Sequence, residues 1–253
     1  MSITATTTPA LSNPGIFFAN SGISPTSASI LSYETYVKFY EQVHIPDWIS
    51  VKPDAITAAW RWESLDPLAT KPFLVAYKYE NISDFNAPEY ATVPLTHPSL
   101  ALPGDRPFIE FVDFTRGPHL ETYRRGGSSD ERYPLMISET INTGGKITPE
   151  ELSKWYAEQY IYEVANATGW KRTSRFSTGT ASWLALHEFD KVKGGSNETK
   201  QIPEGLLGTA EISEKTREIG SRAKKVEVVP WELVRVYGDE KAAWGNEGED
   251  ILI

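Results

Sequence analysis

Laid over itself, the chain matches in three places, in the same order and at nearly the same spacing. Lys38-Phe39-Tyr40 falls on Lys154-Trp155-Tyr156, and Arg61-Trp62 falls on Arg175-Phe176. The run Phe73-Leu74-Val75-Ala76-Tyr77-Lys78-Tyr79-Glu80 falls on Trp183-Leu184-Ala185-Leu186-His187-Glu188-Phe189-Asp190, apolar over apolar, with an aromatic at the same late position in each. A repeat constrains the fold more than any local pattern, because each unit must cover a surface that it cannot bury alone.

Each copy reads as β-α-β-β-α-β. In the first, strands are expected at residues 16–23, 57–62, 73–80 and 108–114. A helix is expected after Ser32, where Tyr36, Phe39, Tyr40 and Val43 recur at helical spacing. In the second, strands are expected at 135–141, 171–176, 183–190 and 226–236. Its helix opens at Thr148-Pro149-Glu150-Glu151. Thr148 can accept from the Glu151 N–H, and Pro149 gives up a donor that a helix start does not use.

The third strands say how the units meet. Side chains alternate along a strand, so Trp183, Ala185, His187 and Phe189 share one face and Leu184, Leu186 and Glu188 the other. The first-copy set is Phe73, Val75, Tyr77 and Tyr79. Both faces are largely apolar, so one is expected under helices and the other against the opposing sheet. The expected fold is α+β: two ferredoxin-like units, residues 14–115 and 133–237, closed face to face around one barrel. Residues 115–132 read as a linker, 191–204 as a surface loop and 245–253 as a tail.

Composition narrows the function. A net charge of −9 in 253 residues argues against nucleic acid and anionic membrane as partners. The absence of cysteine removes disulfides, thiolate nucleophiles and cysteine-ligated metals. The lead MSITATTTPALSNPG has neither the basic nor the apolar region of a secretory signal, so a cytoplasmic location is expected. The histidines at 44, 97, 119 and 187 include no pair at helical spacing, and no metal site is expected.

The segment Phe39-Tyr40-Glu41-Gln42-Val43-His44-Ile45-Pro46-Asp47, with Arg61-Trp62 and Arg175-Phe176 after the helices, resembles the EthD-like branch of the dimeric α+β barrel proteins. The block that starts at Trp183 is similar to the third strand of fungal two-copy members. The resemblance runs from about Pro14 to Tyr237 and implies an intramolecular version of the dimeric barrel. It also implies small-molecule chemistry without a cofactor, in a family of monooxygenases, lactone isomerases, polyketide cyclases, decarboxylases and dehydratases, with haem enzymes beside them. The second copy departs from the pattern: Tyr160, Tyr162 and Glu163 stand where the first has His44, Pro46 and Asp47.

The candidate catalytic residues are His44, Asp47, His187, Tyr40 and Tyr160. His44 can act as general base or acid with Asp47 orienting its ring, or can simply cap its helix. His187, on an apolar strand face, is either a satisfied core histidine or a second catalytic group. Tyr40, Tyr77 and Tyr160 can donate to a developing enolate or serve as core aromatics. Tyr77, Trp183, Phe189, Arg61 and Phe73 are the expected substrate contacts. Arg61 and Arg175 can grip a carboxylate or pair with the acidic surplus. Asp113 is the better placed of Glu110 and Asp113 to face inward. His97 begins a His-Pro step, and His119 reads as solvated.

The function expected is cofactor-independent acid/base catalysis in secondary metabolism, on a polyketide-like or other apolar oxygenated molecule, by cyclisation, dehydration, isomerisation or decarboxylation. The alternatives are a non-catalytic small-molecule carrier and a haem-binding enzyme with His187 as axial ligand. The expected partner is the small molecule, with no nucleic acid, no membrane, and a homodimer left open.

Overall fold

The computed structural model describes residues 13–103, 106–127, 133–179, 181–190 and 213–238, with the backbone of 251–252. Helix starts follow their caps. The Ser32 hydroxyl accepts from the Thr35 N–H, and α1 (Tyr33–Phe39) begins there. The Thr148 hydroxyl accepts from the Glu151 N–H at 3.1 Å, and α3 (Pro149–Trp155) begins there. In both places a five-residue π turn follows, Tyr40–His44 in the first and Tyr156–Tyr160 in the second, before α2 (Ile45–Val51) and α4 (Ile161–Ala165). A further helix, α5 (Glu214–Arg222), is capped by Ser213.

The strands are β1 (Gly15–Ile23), β2 (Ile56–Ser64), β3 (Phe73–Tyr79), β4 (Val112–Gly126), β5 (Leu135–Asn142), β6 (Trp170–Ser177), β7 (Ser182–Phe189) and β8 (Lys225–Gly238), with β9 (Ile251–Leu252) beside β4. Every pairing is antiparallel. The order β1-β3-β2-β8-β5-β7-β6-β4 returns to β1 through the β1–β4 pairing, which closes an eight-stranded barrel. The first half contributes β4-β1-β3-β2 and the second β8-β5-β7-β6, joined at β2–β8 and β4–β6.

Three expectations change. Residues 108–114 are not one strand, because a 3-10 turn at Phe108–Glu110 precedes β4. Residues 115–126 are not linker but strand, since β4 runs on past β1 to pair with β6. No α-helix occupies the second helical place of the first half. Three 3-10 turns, Ile82–Asn86, Pro88–Thr92 and Pro98–Leu100, stand there. Prolines at 88, 94, 98, 103 and 107 withhold the N–H groups that a helix needs. The loop expected at 191–204 lies outside the described residues, while two residues of the expected tail form β9.

The two faces of the barrel wall sort by alternation. Inside the barrel lie Phe18, Trp60, Trp62, Leu74, Met136, Phe176, Leu184, Leu186 and Trp231, all buried. Outside, α1 and α2 cover Phe73, Val75, Tyr77 and Tyr79, while α3 and α4 cover Ile141 and Ala185. No helix among the described residues is long and apolar enough to cross a membrane.

Candidate functional site

The parity of the third strands places the expected substrate contacts outside the barrel. Phe73 and Tyr77 pack under the first helices and Trp183 under the second, while a separate cluster of other side chains lies inside the barrel. Alternation defined the two sets correctly, but only the wrapping of the helices decided which set met them. In either half these residues lie between the sheet and the helices.

In the first half that layer is almost wholly aromatic. His44, at the end of its π turn, is buried with ring centroids of Tyr40, Phe108, Phe39 and Trp48 at 4.7, 5.1, 5.8 and 5.9 Å. Its Nδ1 has no hydrogen-bond partner. Asp47, half-buried in the first turn of α2, makes no hydrogen bond to His44 among the described residues. Desolvation, with the charge of Arg116, pushes the His44 pKa down to about 4. Tyr40 is pushed up mainly by burial, and the buried Tyr77 hydroxyl is unpartnered. Arg61 is not free for a substrate. Its guanidinium lies over Phe73, 3.2 Å from a Glu41 oxygen and 2.9 Å from Glu63.

The second half holds a polar cluster. Glu139 on β5, Ala185 on β7 and Arg175 on β6 are direct cross-strand neighbours. The next row is Ile137, His187 and Thr173; on the other side lie Ile141, Trp183 and Ser177. Ala185, the small residue at the centre, leaves a floor ringed by Glu139, His187, Arg175 and Trp183. The π turn Tyr156–Tyr160 supplies the roof. Inserting a residue into a helix redirects its side chains, and such turns often occur at functional sites.

The hydrogen bonds order this cluster. His187 Nδ1 is 2.9 Å from the Thr173 hydroxyl, and its Nε2 is 3.3 Å from Glu139. The Trp170 indole N–H donates to the same Thr173 oxygen at 3.0 Å. In the contact between His187 and a Glu139 carboxylate, Nε2 is the donor and the oxygen the acceptor. Burial, and then the negative charge of nearby Glu139, raise the Tyr160 pKa well above the ordinary phenol. Two polar atoms here, the Tyr156 hydroxyl and Nη2 of Arg175, are buried without partners.

The remaining sequence candidates fall outside both layers. Phe189 is buried against Leu135 and Ile137, in a separate cluster. His97 binds Ser99 and caps its own 3-10 turn. His119 is half-buried on β4 beside the Phe18 ring, not solvated, and desolvation pushes its pKa down to about 4. Glu110 pairs with Arg106, and Asp113 is exposed rather than inward. Glu139 and Tyr156 did not figure among the sequence candidates. The available signal was the comparison of halves, because Glu139 occupies the strand position that Ala19 holds in the first half.

No group of three metal-ligating side chains occurs among the described residues. Haem, which the family resemblance brings with it, does not fit at His187, where both ring nitrogens are engaged and the side chain is 1 % exposed. A cavity of about 560 Å³ opens at one end of the barrel, lined by Asn20, Asp66, Lys71, Thr115, Ser138, Lys225 and apolar neighbours. None of its lining residues is a histidine or belongs to the Glu139 cluster.

No family model and no curated protein sequence matches the chain. Solved structures do. A protein provisionally described as a monooxygenase from Fusobacterium nucleatum aligns over 96% of this chain and 100% of its own, with TM-score 0.54 and 8% identity. An anthrone oxidase-like protein aligns over 92% and 96%, with TM-score 0.53 and 11% identity. A chlorite dismutase variant from Candidatus Nitrospira defluvii aligns over 89% and 93%, with TM-score 0.50 and 7% identity. At such identities the likeness is one of fold, and the class it defines is a mixed α+β barrel with eight antiparallel strands.

Proposed function

We propose that the chain is a cofactor-independent enzyme that moves a proton on a small enolisable molecule, and that its active site is the Glu139 cluster of the second half. The chain is read here as two ferredoxin-like copies, 14–115 and 133–237, of which the second carries the chemistry and the first an aromatic core. This shifts the base from His44 to Glu139, within the class of reactions expected of an EthD-like protein in a reducing compartment such as the cytoplasm.

The observation that carries this reading is a buried Glu139 side chain 3.3 Å from His187 Nε2, close enough to Tyr160 and Tyr156 to raise both phenols, with the Tyr156 hydroxyl unpartnered. In the step proposed, Glu139 takes the proton α to a carbonyl. The C–H electron pair moves through carbon to the carbonyl oxygen, and the Tyr156 O–H donates to the enolate that forms. Return of the proton to another carbon gives isomerisation; its delivery from Glu139 to a β-hydroxyl, with the enolate pair forming the C=C bond as the C–O bond breaks and water leaves, gives dehydration. His187 and Tyr160 are positioning residues, fixing the carboxylate in orientation.

Deuterium uptake from D2O into 3-benzoylpropionate, an enolisable aryl ketone that carries a carboxylate, followed by proton NMR, tests the proposal. Uptake above the buffer rate is expected, with Glu139→Gln reducing it about 10²–10⁴-fold. Uptake at the buffer rate, or equal uptake by Glu139→Gln, overturns the assignment.

A further inference from the structure

Four arginines are buried among the described residues: Arg61, Arg124, Arg172 and Arg175. Three have a carboxylate. Arg61 has Glu41 and Glu63, Arg124 has Glu121, and Arg172 has Glu188 in a two-pronged pair at 2.5 and 2.8 Å. Arg175 alone has none within ion-pair distance, among the described residues. Its Nη1 reaches only the Ser153 hydroxyl at 3.3 Å, its Nη2 is unpartnered, and its residue exposure is 4 %.

Arg61 and Arg175 occupy the same station in the two halves. Arg61 pairs across to Val75 of β3 and lies over the Phe73 ring at 4.6 Å. Arg175 pairs across to Ala185 of β7 and lies over the Trp183 ring at 4.3 Å. The carboxylates that neutralise Arg61 sit at the second residue of the π turn, Glu41, and two residues along the strand, Glu63. The same stations in the second half hold Ala157 and Ser177. Both neutralising groups are thus missing from the half that carries the Glu139 cluster. A guanidinium out of water is strongly unfavourable without a paired counter-charge, and here only the more distant Glu139, across Ala185, acts on Arg175. Desolvation lowers the Arg175 pKa to about 10, which leaves it cationic at neutral pH.

We infer that Arg175 is the anchor for an anionic substrate, and that the site takes a small planar carboxylate whose charge replaces the missing glutamates. The planar fork matches a carboxylate in two-pronged geometry. The Tyr156 and Trp183 rings flank the guanidinium at 4.6 and 4.3 Å and surround it with aromatic surface suited to an aromatic acid. The inference rests on the proposed active site for its place in the reaction, but ligand binding can be read without turnover.

The test uses the full chain with benzoate and 2-naphthoate as probes, and benzamide as the neutral isostere. Tryptophan fluorescence and the thermal midpoint are the readouts. Benzoate or 2-naphthoate is expected to raise the midpoint of the wild-type protein and to change its fluorescence, with benzamide at least tenfold weaker. Arg175→Met is expected to lose the response and, in the absence of ligand, to melt above wild type, since an uncompensated buried charge has gone. A guanidinium acting only as a packing brace would make that variant melt lower. Ala157→Glu, which restores the arrangement around Arg61, is expected to abolish carboxylate binding. Failure of proton transfer by the wild-type protein with carboxylate binding intact counts against the proposed reaction alone. Equal responses to benzoate and benzamide, retained binding in Arg175→Met, or no response to either acid in the wild type would overturn the inference.

Discussion

His44 shows how far a residue's environment can turn its role. It ends a π turn inside four aromatic rings, with Nδ1 unpartnered, and desolvation holds its pKa down to about 4. The unfolded chain titrates near the ordinary 6.5, so below that pH the unfolded state binds a proton that the folded state refuses. The stability contributed by a neutral His44 is complete above pH 6.5. It is lost as pH falls toward 4, by about 3 kcal/mol at the acid limit. Thermal midpoints measured between pH 7 and pH 4.5 should therefore fall less for His44→Phe than for the wild type. An equal fall in both would place the acid sensitivity elsewhere, with His119 the next group to examine. The signature histidine was legible in the sequence. Its burial was not, because Phe108 reaches it from a segment far along the chain.

At the scale of elements, capping was the most readable feature. Ser32 and Thr148 both accept from the N–H three residues on, as their sequences indicate. Thr148→Ala should cost about 1 kcal/mol, and the thermal midpoint should drop by about 2–4 °C. A change below half a degree would mean that α3 is held by packing of Leu152 and Trp155 alone. The π turns were not readable, since one extra residue in a helix leaves no mark in a hydrophobic pattern that tolerates drift. Nor was the length of β4. Its Gly-, Arg- and Thr-containing run looks like a linker, yet it pairs with β1 on one half and β6 on the other. A strand whose partners come from two different units carries its signal in those partners.

For the whole molecule, closure is the main source of order. The interior layer joins Phe18, Trp60, Trp62 and Leu74 of one half to Met136, Phe176, Leu184 and Trp231 of the other. Each half alone would leave its share of that surface in water, together with the strand edges at β2, β8, β4 and β6. Residues 133–253 expressed alone should therefore elute as a dimer or aggregate in size-exclusion chromatography. Co-expression with residues 1–127 should return a one-to-one complex of the full-length size. A monodisperse, folded monomer of either half would show that closure is dispensable.

By itself the sequence determined the places of seven of the eight barrel strands, the first helix of each half and the two-sided apolar character of the third strands, because periodicity and capping are local. Only the tertiary structure decided which face met the helices and which met the barrel interior. It alone set Glu139, His187 and Tyr160 in contact, with Arg175 across Ala185. These depend on cross-strand register and on how the helices wrap the sheet, and both are settled by contacts between residues far apart in the chain.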